Sequence, residues 1–116
     1  MRFLTIYKAV EKDAPTSPEE MAAMGKLIEK MSKAGVLIAT EGCQPSARGA
    51  RVRLSKGKVT VTDGPFTESK ELIAGFAIIQ AKSKEEAIEL CKEFLEVAGD
   101  GESEIRQLHE PSDFPS

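Results

Sequence analysis

The chain has 116 residues with 19 acidic and 16 basic side chains, a formal net charge of −3, and this length suits one domain with its own core but not two. Charges of both signs are interspersed, so we expect no basic face that would attract nucleic acid. No apolar run is long enough to span a bilayer and the first residues do not resemble a secretory signal, so we expect no membrane association and a cytoplasmic location. Cys43 and Cys91 are too few and too distant for a disulfide framework or a cysteine metal site, so both thiols are expected to be reduced.

The first two predicted elements are a strand and a helix. Residues 2–9 are rich in β-formers and lack Gly and Pro, which favours a strand, and residues 11–16 are predicted to be a loop. Ser17, Pro18 and Glu20 supply an N-cap, a proline in the first turn and a capping-box glutamate, so a helix begins here. The apolar side chains of this helix recur three or four residues apart and are expected to pack into the core: Met21, Met24, Leu27, Ile28, Met31 and Ala34.

The middle of the chain predicts four further strands, two of them in a hairpin. Residues 36–41 are a short run of β-formers, and residues 42–50 are predicted to be a loop. Residues 51–62 alternate apolar and polar side chains around a turn at Gly57, which predicts a β-hairpin with one solvent-facing side. Residues 72–80 are apolar on both parities, which is typical of a central strand that is covered on both faces.

The last part of the chain predicts a second helix and a final strand. Ser83 and Glu86 repeat the capping-box pattern, an apolar stripe follows, and Gly99 ends the helix. Residues 102–109 are predicted to form the last strand, and residues 110–116, which contain two prolines, are expected to be a loose tail.

The order strand, helix, strand, hairpin, strand, helix, strand predicts an α+β fold of the ferredoxin-like βαββαβ type with a hairpin insert. Two helices can cover only one face of the sheet. Because the strands are apolar on both parities, the other face needs a cover too, and a second copy of the sheet would provide it. The patterning therefore predicts a face-to-face homodimer.

One motif stands directly before the most apolar strand. Asp63-Gly64-Pro65-Phe66 is followed by Thr67-Glu68-Ser69-Lys70-Glu71, and Glu41-Gly42-Cys43-Gln44-Pro45 lies upstream. Together these segments resemble the DGPF-domain, YCII-related family. The resemblance implies a domain over residues 1–110, a C-terminal tail at 111–116 and a dimeric α+β barrel.

The resemblance implies less about activity than about fold. The wider superfamily includes lyases, isomerases and oxygenases that act on small organic molecules, and some DGPF-type members are encoded beside extracytoplasmic-function sigma factors. The YCII-type branch is associated with a His–Asp pair. Here the only histidine, His109, lies at the end of the last predicted strand, so a mechanism that depends on histidine is not expected.

The residues themselves suggest an acid–base site. Asp63, Glu68 and Lys70 lie close together in sequence, and Glu41 lies on the other polar loop. Burial of one carboxyl group would raise its pKa, and pairing of another with the Lys70 ammonium would keep it ionised. Acid and base roles require such a separation of pKa values. The alternative is that Asp63 caps its own turn and the other charges are solvated. We therefore expect Asp63 to be structural first, Glu68 or Glu41 to handle protons, and Lys70 to be the charge partner.

Four further residues are candidates for ligand binding between the same two loops. Arg51 is a candidate partner for an anionic group, or else a solvated residue on the exposed side of the hairpin. Phe66 is expected to point inward and fix the loop. The set consists of Gln44, Arg51, Phe66 and Glu71. No cofactor and no metal site is expected, because the sequence contains no dinucleotide or phosphate-loop fingerprint, no acidic ladder and no His pair.

Two classes of function follow from these residues. One is a cofactor-free acid–base enzyme, of the isomerase or lyase type, for a small polar organic molecule. The other is a small-ligand-binding or regulatory interaction module, which the resemblance would link to sigma-factor regulation. An enzyme should have a titrating carboxylate in a dry pocket, whereas a binding module should have a pocket without such a group or an exposed apolar patch.

Overall fold

The computed structural model describes residues 1–12 and 16–114. Residues 13–15 of the predicted loop and residues 115–116 of the predicted tail lie outside the described residues.

The described residues form a two-layer α+β fold. A four-stranded antiparallel sheet has the strand order β2-β5-β1-β6, and β3 and β4 form a separate two-stranded hairpin. The prediction of a ferredoxin-like α+β fold with a hairpin insert is thereby confirmed. The elements are β1 (Arg2–Ala9), α1 (Pro18–Lys33), β2 (Leu37–Gly42), β3 (Ala50–Ser55), β4 (Lys58–Asp63), β5 (Leu72–Gln80), α2 (Lys84–Ala98) and β6 (Glu102–Gln107).

Both helices begin at the predicted serine caps. The hydroxyl of Ser17 accepts a hydrogen bond from the backbone N–H of Glu20, and the hydroxyl of Ser83 accepts one from Glu86, each at 3.1 Å. These bonds satisfy backbone donors that the first turn of a helix leaves unpaired. At the other end of α2, Gly99 has a φ of 96° and donates its N–H to the carbonyl of Leu95.

The core lies between the helices and one face of the sheet. Phe3 is 2% exposed and packs with Ile79 and Ala87, so the side chains of this parity point towards the helices. Leu4 and Ile6 have the opposite parity and point away from the helices. The Cα atoms span only 19 Å in the thinnest direction, which leaves room for one sheet and one helix layer. The two helices therefore cover one sheet face, as predicted.

The methionine stripe of α1 is only partly in the core. Met31 is 7% exposed, Met24 is half-buried, and Met21 is 63% exposed. The prediction that the whole stripe packs into the core is wrong for Met21, Ile28 and Ala34, which are exposed. Met21 and Ile28 line an open cleft, and Ala34 is the C-cap at the end of the helix.

The hairpin, residues 50–63, projects from the body and is called the arm below. The predicted hairpin is present, but all residues of β3 and β4 are exposed. Both sides of the hairpin therefore face solvent, where the sequence predicted one. The radius of gyration is 16.4 Å, against about 13 Å for a compact domain of this length. The arm and the flat two-layer body account for the difference.

The first part of the C-terminal tail is ordered. Arg2 donates a hydrogen bond to the carboxylate of Glu110 at 3.0 Å, and the N–H of Glu110 donates to the carboxylate of Asp113 at 2.7 Å, beside a short 3-10 turn at Pro111–Asp113. The expectation of a loose tail is wrong for residues 110–114, because this local capping and the ion pair to β1 hold them.

The two ends of the methionine stripe should respond differently to the same substitution. Met31→Ala should lower the free energy of unfolding by roughly 2–5 kcal/mol, because it removes a buried side chain. Met21→Ala is the matched control and should change it by less than about 0.5 kcal/mol. Urea unfolding followed by circular dichroism measures both, and equal losses would contradict the open position of Met21.

Candidate functional site

The two polar loops predicted to flank a site, residues 41–45 and 63–71, are joined through Ser46. Its backbone N–H and its hydroxyl donate to the two carboxylate oxygens of Glu11 at 2.6 and 3.0 Å, and the hydroxyl accepts from the N–H of Phe66 at 3.2 Å. A serine hydroxyl can donate and accept at once, which lets this residue join three segments of the chain.

The backbone of Gly64 lies close against the loop that contains Ser46 and Gly49. Its N–H donates to the carbonyl of Gly49 at 2.9 Å, and a Cβ atom at this position would lie 1.7 Å from the carbonyl oxygen of Ser46. Only glycine fits there. Among the described residues the Asp63 carboxylate makes no hydrogen bond, so main-chain contacts close this turn, and the predicted side-chain cap is not what holds it.

Arg51 connects the base of the arm to the motif. Its guanidinium group donates to the carboxylate of Glu68 and, at 3.3 Å, to the hydroxyl of Ser69. It also lies 3.8 Å above the ring of Phe66, a cation–π contact. The Phe66 ring is thus half-buried and is covered by Arg51. The sequence predicted a ring that points inward.

The charge on Glu68 is stabilised by this pairing. The hydrogen bond from Arg51 lowers the pKa of the Glu68 carboxyl group, with a smaller contribution from the backbone. Glu68 is exposed, and within the described residues Lys70 has no ion pair. The charge partner of Glu68 is therefore Arg51 and not the predicted Lys70. A proton donor near neutral pH needs a raised pKa, so this arrangement favours a structural role for Glu68.

A cleft of about 890 Å³ lies between the helices and the sheet. This volume falls within the range of small-molecule sites. Most of the side chains that line it are aliphatic, aromatic or sulfur-containing; they include Met21, Met24, Ile28, Met31, Leu37, Cys91 and Phe94. The cleft is therefore suited to an apolar molecule.

The two groups in this cleft with altered pKa values are both held in the neutral form. Burial raises the pKa of the Tyr7 hydroxyl, and Asp100 and Glu71 raise it further. The same hydroxyl donates to the carbonyl of Asp100 at 2.8 Å, and its ring meets Phe94 edge-to-face. Burial likewise raises the pKa of the Cys91 thiol. Neither group is poised to act as a base or a nucleophile.

A smaller cleft of about 490 Å³ lies between the two polar loops. Of the candidate site residues, Gln44, Arg51, Phe66 and Glu71 line it, and Gln44 also lines the larger cleft together with Glu41. The others, Asp63, Glu68 and Lys70, line neither cleft. The binding and catalytic roles assigned to all eight residues stay predictions.

Sequence reasoning missed the residues that shape the larger cleft. Met21 and Met24 belonged to a visible stripe, but helical periodicity does not reveal the distance to the opposing sheet. Glu11 anchors Ser46 from 35 positions away, and no local pattern indicates such a contact.

Neither a metal site nor a membrane span is found in residues 1–12 and 16–114. These residues include no group of three or more His, Cys, Asp or Glu side chains placed to hold a metal ion. None of the helices there has the length and apolar character needed to cross a bilayer.

Comparison with known proteins gives two findings. A sequence model of the YCII-related domain matches residues 1–110. The chain is also 31% identical over 99 residues to an uncharacterised protein of Rhizobium meliloti (strain 1021), and the alignment covers 83% of this chain and 80% of that protein. The resemblance inferred from the motif is thereby confirmed.

The contact at Gly64 gives a test of the loop anchor. Gly64→Ala should lower the free energy of unfolding by roughly 1–3 kcal/mol, because the new methyl group displaces the Ser46 carbonyl. Gly42→Ala is the control, since a Cβ there meets no atom within 4 Å. Thermal unfolding of both variants is the measurement, and an unchanged midpoint for Gly64→Ala would rule out the close approach.

The Arg51–Glu68 pair gives a test by pH. Arg51→Gln should raise the pKa of Glu68 towards its ordinary value, as measured by carboxyl NMR shifts. Because the folded pKa is lowered, the stabilisation is present at neutral pH and is lost as the pH falls through the lowered pKa of Glu68. Wild type and variant should therefore converge in stability in acid.

Arg53→Gln is the control for this experiment, because it removes a neighbouring cation of the same strand that does not contact Glu68. An equal shift of the Glu68 pKa in both variants would mean that general charge, and not the hydrogen bond, sets it.

Proposed function

The chain belongs to the YCII-related family, and we propose that it acts as a homodimeric protein that binds a small, largely apolar molecule. The observation that carries the proposal is the cleft of about 890 Å³ between helices and sheet, with its apolar lining. Such a cleft buries apolar ligand surface, which is the main favourable term in small-molecule binding. The thioether side chains at its entrance adapt to ligands of different shape.

The charges at the cleft favour one kind of polar group on the ligand. The carboxylates of Glu20 and Glu41 and the ammonium of Lys12 line the cleft. Glu11 lines it as well, but its carboxylate is already bonded to Ser46. Acidic groups thus outnumber basic ones, and an apolar body with a neutral or cationic end, such as a hydroxyl or an amine, fits better than an anion.

An acid–base enzyme of the isomerase or lyase type is the second candidate. The observation that favours it is Glu41, a predicted proton-handling residue that lines the larger cleft. Against it stands Glu68, whose pKa is lowered. The Tyr7 hydroxyl is also committed to two backbone carbonyls. Binding therefore has the stronger support of the two.

The dimer part of the proposal rests on the sheet face that the helices leave uncovered. In the strand register, Leu4 lies opposite Ile78 and Ile6 lies opposite Phe76, which puts four large apolar side chains together on this face. At its edge, Lys8 and Arg106 both pair with Glu104, at 2.8 and 2.9 Å. An apolar centre with a polar rim is the usual anatomy of a protein interface.

The cleft can be tested without knowledge of the natural ligand. Gly25 lines it, and a Cβ atom at this position meets nothing within 4 Å, so Gly25→Leu should fill the cleft and keep the helix intact. The neutral fluorescent probe N-phenyl-1-naphthylamine should bind the wild type and should bind the variant at least about tenfold more weakly. Ala23→Leu, on the same helix but outside the cleft, is the control. Equal binding by all three proteins would overturn the proposal.

The dimer can be tested by sedimentation equilibrium. The wild type should be a dimer at micromolar concentration, and Ile6→Lys should be a monomer, because a charge in the centre of the interface would lose its solvation. Ala22→Lys adds the same charge to an exposed position of α1 and should remain dimeric. A wild-type monomer would mean that the sheet face has another cover.

A further inference from the structure

The arm carries an apolar surface that the chain itself leaves uncovered. Val52 lies opposite Val61, and Leu54 lies opposite Val59, so all four side chains share one side of the hairpin. Each of them is between 60% and 71% exposed. A two-stranded hairpin is marginally stable in water by itself, and exposed clusters of this kind mark interaction sites.

The arm is held firmly at its base. Gly64 is hydrogen-bonded to Gly49, Arg51 is paired with Glu68, and Ser46 bonds to both Glu11 and the Phe66 N–H. The arm thus projects in a fixed direction, with little conformational freedom to lose when it meets a partner. Such preorganisation lowers the entropic cost of association.

The arm and the body carry opposite charge. Residues 50–63 contain four cations, Arg51, Arg53, Lys56 and Lys58, and one acid, Asp63, which gives the arm +3. Because the whole chain carries −3, the remaining residues carry −6. Any copy of this chain therefore offers an acidic body to the basic arm of another copy, and opposite potentials favour that encounter.

The size of the arm also fits a second copy. Six-residue strands carry the tip about 20 Å from the base, which is more than the roughly 15 Å across a four-stranded sheet. Four aliphatic side chains cannot supply the roughly 800 Å² per partner that a stable interface buries. An interface of that size needs a further apolar surface, and the uncovered sheet face is available for it.

From these observations we infer that the arm is an intermolecular docking element whose apolar side packs on a second copy of this chain. The inference extends the homodimer proposed above and names a second surface in it. Each of the two arms then packs on the other copy in the same way, as a two-fold axis requires.

Substitutions on the two sides of the arm test this inference. The double variant Leu54→Ser and Val59→Ser should weaken the dimer at least about tenfold in sedimentation equilibrium, because it removes apolar area from the interface. The control is Thr60→Ser with Thr62→Ser, on the opposite side of the hairpin, and it should change the dissociation constant by less than about twofold. Raising NaCl from about 0.05 M to about 0.5 M should also weaken the wild-type dimer, because salt screens the attraction between arm and body.

If the double variant disturbs the fold of the arm, a photo-crosslink still reports whether the arm of one copy contacts a second copy. Leu54→benzoylphenylalanine is prepared in an isotopically heavy copy and mixed with light wild-type protein. Illumination followed by mass spectrometry should yield peptides that join a heavy arm to a light chain. Crosslinks found only within one heavy chain would overturn the inference.

The remaining outcomes separate this inference from the sheet-face dimer. If Ile6→Lys abolishes the dimer but the arm variant does not, the sheet-face dimer holds and the arm inference fails. If the arm variant alone weakens the dimer, the arm inference holds and the sheet face fails. An unaffected dimer together with arm-dependent binding to phosphatidylglycerol vesicles would assign the arm to an anionic lipid surface and overturn the inference.

Discussion

Ser46 is the contact on which the rest of the candidate site depends. Through Glu11 and Phe66 it joins the chain after β1 to the motif before β5, and its carbonyl sets the close approach that only Gly64 tolerates. The same contacts fix the base of the arm and form part of the wall of the smaller cleft. One half-buried serine thus helps to hold the base of the arm and joins the two loops beside it.

The second constraint is that two helices can cover only one face of a four-stranded sheet. On the covered face, Leu27 and Met31 of α1 are buried, whereas Met21 in its first turns is exposed beside the larger cleft. On the other face, half-buried apolar side chains stand in rows across β1 and β5. Ligand binding and self-association are therefore proposed for opposite faces of the same sheet, so a bound ligand and a second copy would not compete for space.

The sequence was a good guide to features that depend on neighbouring residues. Caps at Ser17 and Ser83 and the alternation of apolar residues are local, and they predicted the helices, the strands and the hairpin within one or two positions. It was a poor guide to features that depend on distance in space. The partner of Glu68 was expected to be nearby Lys70 but is Arg51, 17 positions away, and the exposure of Met21 depends on how α1 tilts over the sheet. Periodicity identifies the side of a helix that faces a sheet, but not the gap between them.

The exposed valines of the arm have a consequence for the newly made chain. Without the proposed partner, each copy presents a β-rich apolar ribbon whose two outer strand edges are unpaired among the described residues, a surface that promotes aggregation. Lys56 and Lys58 stand at the turn between the two strands, where charged residues oppose edge-to-edge stacking of such ribbons. The basic tip of the arm would then act as a gatekeeper during synthesis, before any complex exists.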